Sequence, residues 1–173
     1  MTLIICSLSD MPDVVSRRRP SHLVTLLDPG TPAQTPPSLA PGRHLRLDVN
    51  DISEPVDGYV LPQADCVLRL LEFARSWDAR APMVIHCFAG ISRSTASAFA
   101  VACARNPEAS EFEIARTLRR AAPHALPNRR IVALADEILG RGGRMADAVA
   151  DIGASDFGAP APFDLPVRYA TIS

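Results

Sequence analysis

Lysine is missing from this chain: all 18 basic residues are arginine. A chain without lysine forms no Schiff base and offers no P-loop lysine to a nucleotide. Long apolar runs are missing too; none approaches the ~18 residues that mark a membrane span. Neither sign of charge is in excess. The 18 basic and 19 acidic residues leave a net charge of −1, too weak a field to hold nucleic acid or an anionic membrane. The start, Met1-Thr2-Leu3-Ile4-Ile5-Cys6-Ser7, lacks a basic n-region, and its apolar run is too short for a signal peptide. Cysteines 6, 66, 87 and 103 form no C-x-x-C pair, and histidines 22, 44, 86 and 124 form no H-x-x-x-H. No metal site is expected from such spacing. Free thiols fit a reducing cytoplasm, and the abundance of alanine, proline and arginine fits GC-rich, bacterial coding.

The chain has 173 residues, 47% of them apolar, enough for a single domain with its own core. Residues 2–7 and Leu23–Leu27 read as buried strands, the second stopped by Asp28-Pro29-Gly30. Ser9-Asp10-Met11-Pro12 between them reads as a helix start, and Arg17-Arg18-Arg19 as its solvated end. Five prolines make 28–42 a solvent-facing loop with polyproline character. His44 to Val49 alternates as a strand, and 50–61 is a loop. Val67, Leu70, Leu71, Ala74 and Trp77 then recur at helical spacing. Met83-Val84-Ile85-His86-Cys87 is the near-continuous apolar run of a strand covered on both faces. Helices follow at 92–105, 111–122, 129–139 and about 145–152. The tail, 153–173, reads as an extended strap outside a domain of residues 1–152. Strands alternating early with helices indicate an α/β layer.

The chemistry concentrates around Cys87. Cys87-Phe88-Ala89-Gly90-Ile91-Ser92-Arg93 separates a cysteine from an arginine by five residues. Four cysteines among 18 arginines would give about 0.4 such spacings by accident, so the spacing alone is weak. Its context is more telling: His86 precedes it, Gly90 sits mid-loop, serines 92 and 94 flank the arginine, and the segment joins a buried strand to a helix. Such a loop turns backbone N–H groups inward at the positive end of a helix dipole, forming an anion nest. Residues 88–93 would supply it, with Gly90 allowing the turn. Arg93 adds a planar fork of donors for a tetrahedral oxyanion. The same field favours a thiolate. The implied reaction is displacement at phosphorus by Cys87, giving a cysteinyl-phosphate. Ser94 has two roles open to it: capping the helix, or donating to the sulfur to speed its departure from phosphate. His86 reads as a structural histidine.

His86-Cys87-x5-Arg93-Ser94, containing Ala89-Gly90-Ile91-Ser92-Arg93-Ser94, resembles the signature of the cysteine-dependent protein tyrosine phosphatases, especially their dual-specificity branch. The resemblance runs from about Leu23 to Leu139 and includes Pro127-Asn128 opening a late helix. It implies a three-layer α/β fold with a central, mainly parallel sheet flanked by helices, and neither metal nor cofactor. It implies that His86 orders the loop, that Asn128 supports the site, and that the partner is a phosphorylated protein or peptide. It also implies an aspartate, upstream of the signature, that protonates the leaving group. Asp51, two residues beyond the strand at 45–49, is the first candidate. Asp57 on the same loop is the second, though Asp-Gly is an ordinary turn. Asp48 and Asp65 read as strand-end and helix-start acids. Two alternatives stand beside a protein phosphatase: a catalytically silent phosphate-binding module, and an enzyme for a non-protein phosphate ester.

Overall fold

A computed structural model describes residues 2–170. Five strands form one sheet in the order β3-β2-β4-β1-β5. They are β1 (Thr2–Cys6), β2 (His22–Leu27), β3 (His44–Asp48), β4 (Met83–His86) and β5 (Phe163–Pro166). The first four run parallel, whereas β5 lies antiparallel against β1. The tail segment at 163–166 is thus an edge strand, with Phe163 and Leu165 buried and Asp164 and Pro166 exposed.

Alternation along the strands separates two cores. Leu3, Ile5, Val24, Leu26, Met83 and Ile85 face a larger cluster. It is covered by α2 (Ala64–Ser76), α3 (Arg93–Arg105), α4 (Glu111–Ala121), α5 (Arg129–Ile138) and α6 (Arg144–Asp151). Ile4, Cys6, Leu23 and Val84 point the other way, onto Met11, Val14 and Val15 of α1 (Met11–Arg18) and onto Leu39. The sheet is therefore the middle of three layers. Covering on both faces explains why β1, β2 and β4 read as nearly unbroken apolar runs.

Helix α3 is buried from Arg93 through Cys103. Its small residues, Ala96, Ser97, Ala98, Ala100 and Ala102, let the sheet and helices α2, α4 and α5 close around it. The basic triplet ends α1: Arg17 pairs with Asp13, Arg18 forks onto Asp164 of β5, and Arg19 turns the chain with a φ of 45°. Asp48, expected as a strand-end acid, accepts from Arg46 at 2.7 Å. No helix among the described residues is long and apolar enough to cross a membrane.

Candidate active site

The β4–α3 junction makes the site. Leaving the sheet after His86, the chain turns through residues 87–92 and enters α3 at Arg93. Gly90 permits the turn, with a φ of +73°. A Cβ there would lie 2.8 Å from the Cys6 carbonyl carbon and 2.9 Å from the Ser7 nitrogen, so the loop also packs directly onto the end of β1. Three of its carbonyls are bonded to neighbouring amides. That of Phe88 accepts from the Leu8 amide, that of Ile91 from Leu126, and that of Ser92 from Ala96 and Asn128. Among the described residues, the amides of 88–92 donate to no protein acceptor. A turn whose carbonyls are in part used by the protein and whose amides have no protein acceptor can bind an anion as a nest does.

Arg93 lies beneath this turn, its side chain only 5% exposed. Nη1 donates to Asp28 Oδ1 at 2.6 Å and to the Val49 carbonyl at 2.7 Å. Nε is buried without a partner. One edge of the guanidinium is thus anchored and the Nε edge is left for a ligand, the fork that suits two oxygens of an oxyanion. Asp28 was legible only as the residue that stops β2; its ionic contact 65 positions along the chain has no local signal.

Cys87 forms the floor of a cleft of about 590 Å³. Its Sγ lies 3.1 Å from Ser94 Oγ, and Ser94 is fully buried. Burial pushes the other three thiols up, Cys6 and Cys103 to about 12 and Cys66 to about 11, which leaves them protonated and inert. Asp51, Phe88, Ala89, Ile91, Ser92, Arg93 and Asn128 line the same cleft. Asp51 is held in its wall: Oδ1 accepts from Ser92 Oγ at 2.7 Å and from Asn128 Nδ2 at 2.9 Å. Asn128 also caps α5, its Oδ1 accepting from the amides of Arg130 and Ile131. Asp57 is exposed and does not line the cleft, and Asp65 sits in the first turn of α2.

His86 stands behind the nucleophile loop with its Nε2 2.7 Å from Thr25 Oγ1. Burial pushes it down to about 4, and hydrogen bonding to the Cys87 backbone partly opposes that shift. The imidazole is therefore neutral at pH 7.

The sequence pattern of the protein-tyrosine phosphatase family matches residues 57–130, from the loop after Asp51 through Cys87 and Arg93 to the start of α5. Over that stretch the chain is similar to the protein-tyrosine phosphatases. No curated protein is similar enough in sequence to match this chain; solved structures match it in fold. DUSP15 superposes with a TM-score of 0.61 at 19% identity, over 87% of this chain and 89% of that one. The Yvh1 phosphatase domain from Chaetomium thermophilum gives 0.59 at 16%, over 83% and 93%. PTPMT1 in complex with PI(5)P gives 0.59 at 15%, over 88% and 95%. At these identities the likeness is one of fold: this chain has the three-layer architecture of the dual-specificity structures.

Proposed function

We propose that this chain hydrolyses phosphate monoesters on proteins, phosphotyrosine first, through a cysteinyl-phosphate on Cys87. One observation carries the proposal. The sulfur lies at the floor of a cleft ringed by unpartnered amides and by the free edge of Arg93. A phosphoryl group seated there has its equatorial oxygens held by N–H donors and its phosphorus facing sulfur, as in-line displacement requires.

In the first step Cys87 sulfur forms the S–P bond as the ester P–O bond breaks, and the leaving oxygen takes a proton from Asp51. In the second, water attacks the same phosphorus, Asp51 accepts a proton from it, and the S–P pair returns to Cys87. Ser94 Oγ donates to the departing sulfur, a role its 3.1 Å contact supports. The choice of Asp51 over Asp57 rests on its place in the cleft wall and on its two donors, Ser92 and Asn128. Asp28 and Asn128 are positioning residues, the first for Arg93 and the second for Asp51. Residues 1–152 carry this machinery, and the tail adds an edge strand to its sheet.

The cleft wall favours an aryl or peptide ester over a polyanionic head group. Phe88 and Leu126 are 66% and 47% exposed at its rim, and among the described residues the cations that line it are Arg93 and Arg129. The proposal is tested by steady-state rates on matched phosphotyrosine, phosphothreonine and inositol phosphate substrates, with vanadate as inhibitor. A vanadate-sensitive preference for phosphotyrosine peptide supports it. Faster hydrolysis of the inositol phosphate would move the enzyme to non-protein esters. Vanadate binding without turnover of any substrate would make it a silent phosphate-binding module.

A further inference from the structure

Three strands and the proline-rich loop bring four polar side chains into one line behind the nucleophile. Thr25 of β2 is directly opposite His86 of β4 and Arg46 of β3 in the parallel register. Its Oγ1 lies 2.7 Å from His86 Nε2 on one side and 2.8 Å from His44 Nε2 on the other. His44 Nδ1 in turn meets Thr35 Oγ1 at 2.7 Å. Thr25 and His86 are fully buried, His44 is half-buried, and Thr35 is exposed on the proline-rich loop. A continuous polar chain thus runs from that loop to the residue before Cys87, across the strands β3, β2 and β4.

Hydrogen counting restricts the chain. Both rings are held neutral: burial lowers His86, and burial together with the Arg46 charge lowers His44. Each neutral ring carries one N–H and each threonine one O–H. Filling all three contacts while also using the buried Thr25 O–H, whose partners are the two rings, then leaves two arrangements, each running in a single direction along the chain. In one, His86 Nε2 donates to Thr25 and Nδ1 is a bare, buried acceptor. In the other, Thr35 donates to His44, His44 to Thr25 and Thr25 to His86, so that His86 carries its proton on Nδ1. Nδ1 is buried without a partner in good geometry, while the Cys87 backbone is the hydrogen-bonding group that bears on the ring. The second arrangement puts the proton on Nδ1, the nitrogen left for the Cys87 backbone.

We propose that Thr25 and His44 are positioning residues for the nucleophile: the Thr35–His44–Thr25–His86 relay fixes the tautomer and plane of His86 and thereby the start of the Cys87 loop. This rests on the reading of Cys87 as nucleophile. The relay touches neither the phosphate nor the leaving group. Its loss is therefore expected to misalign the sulfur while Arg93 and the loop amides still bind substrate.

The test uses Thr25→Val, which keeps shape and removes the hydroxyl, with Thr25→Ser as rescue and His44→Leu and Thr35→Val as successively more distant cuts. Two readouts are taken on folded protein at fixed pH: kcat and KM on an aryl phosphate, and the rate at which iodoacetamide alkylates Cys87. Thr25→Val is expected to lower kcat about three- to thirtyfold, the cost of one buried hydrogen bond, with KM unchanged and alkylation slowed. Thr25→Ser restores both, and the losses diminish from Thr25 to His44 to Thr35. Unchanged kcat in Thr25→Val, a rise in KM in place of a fall in kcat, or failure of Thr25→Ser to rescue would overturn the relay. A parent enzyme inert toward aryl phosphate would overturn the phosphatase reading instead. The alkylation series would still read the relay, and equal rates across it would overturn the relay too.

Discussion

Asn128 Nδ2 donates to Asp51 Oδ1 at 2.9 Å across 77 residues of chain, while the same side chain's Oδ1 caps α5. One amide thus uses its acceptor to start a helix and its donor to aim a carboxylate. Asp51→Asn should therefore cost about 100- to 10,000-fold in kcat on esters with poor leaving groups and much less on good ones. Asn128→Ala should reproduce that leaving-group dependence in weaker form. A leaving-group series of aryl phosphates checks both; if Asp51→Asn keeps the parent's slope and Asp57→Asn changes it, the acid is Asp57.

The Asp28–Arg93 contact predicts a different kinetic signature. Nη1 is anchored by Asp28 and by the Val49 carbonyl, so Asp28→Asn leaves the guanidinium in place but less firmly held. Vanadate affinity should fall on the order of tenfold, about 1.4 kcal/mol, while the leaving-group slope stays as in the parent. Titration with vanadate separates this from damage to the acid.

Ser94→Ala should slow hydrolysis of the cysteinyl-phosphate more than its formation. Rapid mixing with an aryl phosphate would then show a burst of leaving group before a slower steady state. A single linear phase would assign Ser94 to helix capping alone.

Stability should fall with acidification for a specific reason. All four histidines titrate below their ordinary value, chiefly through burial. A histidine with a lowered folded pKa binds its proton more tightly when unfolded. Its stabilising contribution is complete above about pH 6.5 and is lost as pH falls toward the folded value. For His86, from 6.5 to about 4, the loss reaches roughly 3 kcal/mol at 1.36 kcal/mol per unit. Urea unfolding at pH 7, 6, 5 and 4.5 should show this decline, and His86→Gln should make it shallower.

Much of this architecture could be read from sequence, and the exceptions have a common cause. The apolar run at 2–7 read as a buried strand and that at 83–87 as one covered on both faces, and Cys87, Gly90 and Arg93 marked the turn from β4 into α3. Those signals are local, because a loop entering a helix is built from consecutive residues. Asp28, Thr25 and His44 were not legible as site residues. Each acts across strand register or a long loop, and periodicity cannot show which residues of β2 and β3 lie opposite His86. The tail's edge strand is hidden for the same reason: Phe163–Pro166 gains its pairing only from β1.

The central claim is that Cys87 sulfur, cradled by the loop amides and Arg93, attacks phosphorus. Its most direct test is phosphate release from an aryl phosphate by Cys87→Ser, measured beside the parent enzyme, with circular dichroism and vanadate binding confirming the fold and the cradle. The account predicts that release falls to background while vanadate still binds. Release at a rate comparable to the parent would contradict it.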